Sequence, residues 1–283
     1  MSRRLVVLLA LVPCAAALVI PCRHGRRRPR TALRMGWGDP PVWTDSVVKS
    51  NDEAGKGLRA ITVEVSPETL AAHGVGGQYV QLTVGEEKAG FYAIASPPGG
   101  SGGVFEFLIK ENDGNSHVTS LAAGATIKCS EVNGKGYQTG VHFNGEDGSV
   151  DALYDGFGCM NHLFVAGGSG IAPIRSTIES GIAKDLPKPA KLYYGVQDAS
   201  VMAYADKFDA WQRDFNVEVR QCHSKASGPG IFNGYVQAAM QADTIAVPRN
   251  TGACVCGPKE MYMAVKDVLT GAGVFETRVL SNF

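Results

Sequence analysis

The chain has 283 residues, 45% hydrophobic and 19% charged, which suffices for two domains with cores of their own. Its zero net charge averages unlike parts: eight arginines precede the first acidic residue, Asp39, and the remainder carries 19 basic against 27 acidic residues, a formal charge of −8. An acidic body lacks the basic footprint that a nucleic-acid backbone requires, which argues against nucleic acid as a partner.

Residues 5–20 form an apolar run behind Arg3-Arg4, short for a membrane span and broken by Pro13. This is signal-peptide grammar, and the stretch from Arg23 to Met35 that follows is arginine-rich and free of acids. The pair resembles the two-part presequence of proteins sent to complex algal plastids. Residues 1–36 are therefore expected to be a cleavable targeting presequence for plastid delivery, with the secretory pathway as the alternative and no stable membrane anchor after processing. Beyond it, five cysteines remain (129, 159, 222, 254 and 256), an odd number with neither a disulfide framework nor zinc or iron–sulfur spacing. No metal site and a reducing compartment are expected.

From 37 to 158, short alternating apolar runs at 60–66, 78–84, 91–95, 104–110 and 126–132 are separated by glycine-rich breaks, the pattern of an antiparallel barrel or sandwich. Gly76-Gly77 permits a close approach before the second run. Gly114-Asn-Ser-His-Val-Thr-Ser120 reads as a turn into a short helix, in which Thr119 or Ser120 could act simply as a cap.

From 159 to 283 strands alternate with helices, as in a parallel sheet. Leu163 to Ala166 suits a buried strand, Gly167, Gly168 and Gly170 leave backbone open to an anion, and Pro173 fits a first helical turn ahead of Ile174, Ile178 and Ile182. Strands are expected at Lys191–Val196 and Val217–Cys222, with a helix over Tyr204–Phe215. Cys254-Val-Cys256 reads as two positions of a buried strand, and Met261, Ala264, Val265, Val268 and Leu269 recur at helical spacing.

After the presequence the chain resembles the ferredoxin-NADP reductase superfamily, which pairs a flavin-binding antiparallel β-barrel with an α/β parallel-sheet nicotinamide-dinucleotide domain. Phe91-Tyr-Ala-Ile-Ala-Ser-Pro97 is similar to the family's Arg-x-Tyr-Ser pattern with its Ile-Ala-Ser continuation. The resemblance implies an FAD-binding domain over 37–158, with Tyr92 packing on the isoalloxazine, Ala93 at the position of the serine near N5, and Ile94, Ala95 and Ser96 continuing the motif. Gly90 stands where the family has the arginine that holds the flavin pyrophosphate, so FAD is expected to bind more weakly by about 1.5–3 kcal/mol unless Lys88 or another base substitutes. Thr119 and Ser120 match the second flavin element, and Gly134-Lys-Gly136 matches the glycine loop closing the barrel.

In the NAD(P)-binding domain over 159–283, Gly168-Ser169-Gly170-Ile171-Ala172-Pro173 is the cradle that the resemblance assigns to the pyrophosphate. Ser224 and Lys225 correspond to the reader of a 2′-phosphate, Tyr235 and Gln237 to the adenine contacts, and Gly257, Pro258 and Met261 to the Cys-Gly-Pro-x-x-Met motif whose cysteine, Cys256, lies beside the nicotinamide. Phe283 would cover the flavin, and Glu276 is a candidate for polarising the nicotinamide or relaying a proton. The implied protein is an FAD-dependent NAD(P)H oxidoreductase, with NADP(H) preferred to NAD(H), that passes electrons to an unidentified small molecule or protein. A non-catalytic nucleotide-binding protein that has lost flavin is the alternative, supported by Gly90 and Ala93.

Overall fold

The computed structural model describes residues 40–282, apart from 101, 144–149 and 155. The expected presequence, 1–36, and Phe283 lie outside the described residues. Six antiparallel strands, β1 (Trp43–Gly55), β2 (Leu58–Glu64), β3 (Tyr79–Thr83), β4 (Gly90–Ala93), β5 (Val104–Lys110) and β6 (Thr126–Ser130), form a sheet in the order β4-β3-β6-β1-β2-β5. The sheet curls until its two ends meet. Ala95, just past β4, donates its N–H to the Glu106 carbonyl of β5 at 2.7 Å, and the Glu106 N–H donates to Ser96 Oγ at 3.2 Å. Val48, Ile61, Val80, Phe105, Phe107 and Ile127 fill the interior, each at most 1% exposed. Two short helices, α1 (Pro67–Ala72) and α2 (Ser116–Thr119), lie in the connections.

β1 does not stand out in the sequence. Its residues 49–55 are mostly polar or glycine, yet pairing on both sides, with β2 and with β6, satisfies its backbone, and only alternate positions such as Ser46 and Val48 need to be buried. A second small antiparallel sheet, β7 (Thr139–Phe143), β8 (Val150–Tyr154) and β9 (Phe157–Cys159), links this region to the next.

The remaining elements are β10 (Asn161–Gly167), α3 (Ile171–Glu179), β11 (Ala190–Val196), α4 (Phe208–Phe215), β12 (Val217–His223), β13 (Phe232–Asn233), α5 (Val236–Asp243), β14 (Thr251–Cys256), α6 (Lys259–Gly271) and β15 (Val279–Ser281). The strands are all parallel, in the order β13-β12-β11-β10-β14-β15. The chain steps outward from β10 to β13 and then returns to the other side of β10, so the carboxyl ends of β10 and β14 flank the topological switch point, where ligands bind in such sheets. The helix expected from Tyr204 begins four residues later. Tyr204 adopts a left-handed backbone (φ 61°) that interrupts a helix and turns its ring over the Arg175 guanidinium at 4.8 Å.

The barrel and the parallel sheet share a hydrophobic core in which Leu58, Ala95, Leu108, Tyr137 and Tyr154 pack with Phe164, Ile174, Cys254 and Cys256. α3 docks on the barrel through three consecutive buried polar residues. Ser176 Oγ donates to the Ser96 carbonyl at 2.8 Å, Arg175 pairs with Glu106 of β5 and, at 3.0 Å, with Glu179, and Thr177 occupies the space left beside Gly76. Among the described residues, no helix is long and apolar enough to cross a membrane.

Candidate nucleotide and flavin site

Two strand–turn–helix crossings meet at the switch point, β10 into α3 and β14 into α6. Their turns are in contact: a Cβ on Gly170 would collide with the Cys256 carbonyl, and one on Gly167 would lie 2.6 Å from Met261 Sδ. Gly168 differs, with φ +54° and nothing within 4 Å of where a Cβ would stand, so it presents bare backbone to solvent at the mouth of the crevice. Ser169 is half-buried beside it. Ile171, Ala172 and Pro173 are buried packing residues of the first turn of α3, so their contribution to a nucleotide would come from the backbone they position.

Cys256 is the last residue of β14, 8% exposed, and burial pushes its thiol up to about 12, against hydrogen bonds from Tyr137 and Asn282 that pull the other way. It is therefore a neutral thiol, suited to lining a site and not to acting as a nucleophile. Gly257 and Pro258 follow directly, and Met261 packs back onto Gly167.

At the far side of the carboxyl edge, Ser224 is half-buried and Lys225 exposed, its Nζ donating to Gln197 Oε1 at 3.2 Å. Tyr235 is 66% exposed just ahead of α5. Gln237 Oε1 and His223 Nε2 are buried here without a hydrogen-bond partner, as is Asn282 Oδ1 near Cys256. Buried polar atoms left unmatched along one sheet edge fit a polar ligand bound across it.

On the barrel, Tyr92 is half-buried, and burial raises the pKa of its hydroxyl. Its ring folds over Gly90, where a Cβ would lie only 2.5 Å from the Tyr92 hydroxyl. The absence of a side chain at 90 is thus matched to the tyrosine beside it. Ala93 is half-buried in β4, paired with Tyr79.

Several expected flavin contacts have other tasks. Ile94 and Ala95 are fully buried, and their N–H groups are bonded to Gln78 and Glu106 carbonyls, while Ser96 joins β5 and α3 as described above. Thr119 and Ser120 turn their hydroxyls back to the Asn115 and Ser116 carbonyls at 3.3 and 2.6 Å, at the end of α2 and not at its start. At the entrance to that helix Asp113, Gly114 and Ser116 are exposed, but Asn112 already caps the turn, accepting the Gly114 N–H at its Oδ1 and the Asn115 N–H at its carbonyl. Glu276 does not reach the site. β15 runs parallel to β14 with Val279 beside Ala253, which puts Glu276 toward the amino ends of the strands, exposed and paired with Lys266.

Residues 164–267 match the family described as oxidoreductase NAD-binding domain. Over 85% of this chain and 99% of the other, the fold superposes on a ferredoxin NADP+ reductase from Neisseria gonorrhoeae with bound FAD and NADP, with a TM-score of 0.67 at 15% identity. The chain thus has the two-domain fold of ferredoxin-NADP reductase-like proteins, and its parallel-sheet half matches the oxidoreductase NAD-binding domain family. A reductase-like relative is the CDP-6-deoxy-L-threo-D-glycero-4-hexulose-3-dehydrase reductase of Yersinia pestis, 26% identical over 76% of this chain but only 61% of its own length. The fruit protein pKIWI502 of Actinidia deliciosa is 27% identical over 88% of this chain and 79% of its own.

Two residues near the site escape a motif-based reading. Tyr137 follows the Gly134-Lys-Gly136 loop of the barrel and enters the parallel sheet, its hydroxyl donating to the Val255 carbonyl at 3.2 Å beside the Cys256 thiol, whose pKa it helps to lower. Gly77 makes room for its ring, since a Cβ there would lie 2.7 Å from Tyr137 Cδ2. Asn282 reaches the same thiol from β15. The glycine pairs around Tyr137 were the available signal, and they indicated a close approach without indicating what approaches.

Proposed function

We propose that the chain is an FAD-dependent NAD(P)H oxidoreductase that delivers electrons to a separate small molecule or protein. The observation that carries this is the contact between the two glycine turns at the switch point, where Gly170 packs against the Cys256 backbone and Gly168 leaves its own backbone open. Bound FAD supplies the capacity to take a hydride from the nicotinamide and release electrons onward. The protein's part is alignment and exclusion of water.

In this reading the α3 entrance holds the pyrophosphate, Ser224 and Lys225 face a 2′-phosphate, and Tyr235 and Gln237 bind the adenine. Cys256 bounds the nicotinamide, and Tyr92 packs on the flavin ring. The residues fit FAD at Tyr92, and the expected arginine contact is missing at Gly90. No side chain in the site is required as a general acid or base. An acidic body makes an acidic electron carrier a poor docking partner. Plastid delivery is part of the proposal and rests on the presequence alone; a fluorescent fusion to residues 1–36 that enters the secretory route and stays there would remove it.

The deciding measurement is the visible spectrum of the purified protein after reconstitution with FAD, before and after NADPH under argon. Flavin bands that bleach with NADPH are expected. Absence of flavin bands, with nucleotide binding retained, would establish the non-catalytic alternative instead.

A further inference from the structure

We infer that Asn282 recognises the carboxamide of the pyridine ring, with Cys256 and Tyr137 as the support that holds it in place. The inference rests on the dinucleotide reading above. The parallel register pairs Ser281 with Val255, so Asn282 is carried one residue further, to the carboxyl edge beside Cys256. Its Oδ1 is buried and lacks a donor, and its side chain is close enough to the Cys256 thiol to draw that thiol's pKa down against burial. An unmatched buried acceptor destabilises the fold unless a ligand supplies the missing N–H.

The chemistry of the surroundings selects the ligand group. A carbonyl-type acceptor beside a neutral thiol and the Val255 carbonyl repels phosphate, which has open backbone at Gly168 instead. A primary carboxamide offers the N–H that Oδ1 lacks. Tyr137 holds the arrangement from the other side. Its hydroxyl donates to the Val255 carbonyl, next to Cys256, so the barrel domain fixes the surface against which the pyridine ring would lie. Tyr137 and Cys256 are thus positioning residues, and Asn282 is the contact.

The test compares the affinity of the flavin-loaded full chain for NADP+ and for its 3-acetylpyridine analogue, in which a methyl group replaces the carboxamide NH2, by isothermal titration calorimetry. Wild type is expected to prefer NADP+ by about tenfold, the worth of one buried hydrogen bond. Asn282→Ala should bind both at the weaker level, and Asn282→Asp, which keeps an acceptor, should retain the preference. Tyr137→Phe should narrow it. Equal affinities in wild type, whatever the variants do, or a preference that survives in Asn282→Ala, overturn the inference while leaving the functional reading intact. Failure of wild type to bind either dinucleotide sinks the functional reading and the inference with it.

Discussion

At the scale of single residues, Gly90 and Tyr92 act as a pair. A side chain at 90 has no room while the tyrosine ring lies over it, so Gly90→Arg should not restore a phosphate clamp. It should lower stability by about 1–3 kcal/mol in chemical denaturation, as overpacking does, with no gain in FAD affinity. Unchanged stability together with tighter FAD would show that the ring moves aside freely. Lys225 presents the opposite case, an exposed cation whose ammonium, among the described residues, donates to the neutral Gln197 amide. Lys225→Ala should weaken NADPH binding about tenfold and NADH binding much less, since only the former carries the 2′-phosphate. Equal losses in fluorescence titrations would refute a phosphate role. The phosphate-side residues were legible because glycine and proline have local conformational reasons to stand where they do. Tyr137 and Asn282 were not, because their partner Cys256 is 119 and 26 residues away in sequence, and nothing local marks either contact.

Among the elements, α3 has two occupations: its first turn faces the crevice, and its middle binds the barrel. Arg175 is central to the second. Burial disfavours its charge, but Glu179, the Tyr204 ring and Glu106 outweigh that and hold its pKa above the ordinary arginine value. Removing it leaves the largely buried Glu179 without its cation. Arg175→Ala should cost about 3 kcal/mol in urea denaturation, the low end for a broken buried pair because the Glu106 carboxylate is 39% exposed. A loss below about 1 kcal/mol would mean that water replaces the guanidinium. The sequence showed α3 through its Ile174 and Ile178 spacing, but three consecutive buried polar residues on it have no periodic signature; they make sense only against the barrel. β1 and the strands of 139–159 were hidden for a related reason. β1 and β8 are held by pairing partners on either side, and β7 and β9 by β8 alone, without an apolar alternation long enough to mark them.

For the molecule as a whole, the shared core makes the two halves one cooperative unit, so thermal or chemical unfolding should follow a single transition by both far- and near-ultraviolet dichroism. Separate transitions would show that the barrel and the sheet are energetically independent. Stability should also fall in acid. His73 in the barrel and His162 at the start of β10 are both held down to about 4 by burial, against 6.5 when exposed. Because the unfolded chain takes up protons that the folded one refuses, the stability tied to these neutral rings is complete above about pH 6.5 and drains away toward pH 4, each contributing up to about 3 kcal/mol. A His162→Phe variant, keeping a ring against Tyr154, should show a shallower decline; an unchanged slope would assign the acid sensitivity elsewhere. The same shared core bears on biosynthesis. Tyr137 and Tyr154 leave the ribosome roughly 100 residues before Cys254 and Cys256, an interval of about 5–20 s at ordinary elongation rates. During it the nascent barrel shows an aromatic face with nothing to cover it, a natural target for a chaperone that waits for the second half to arrive.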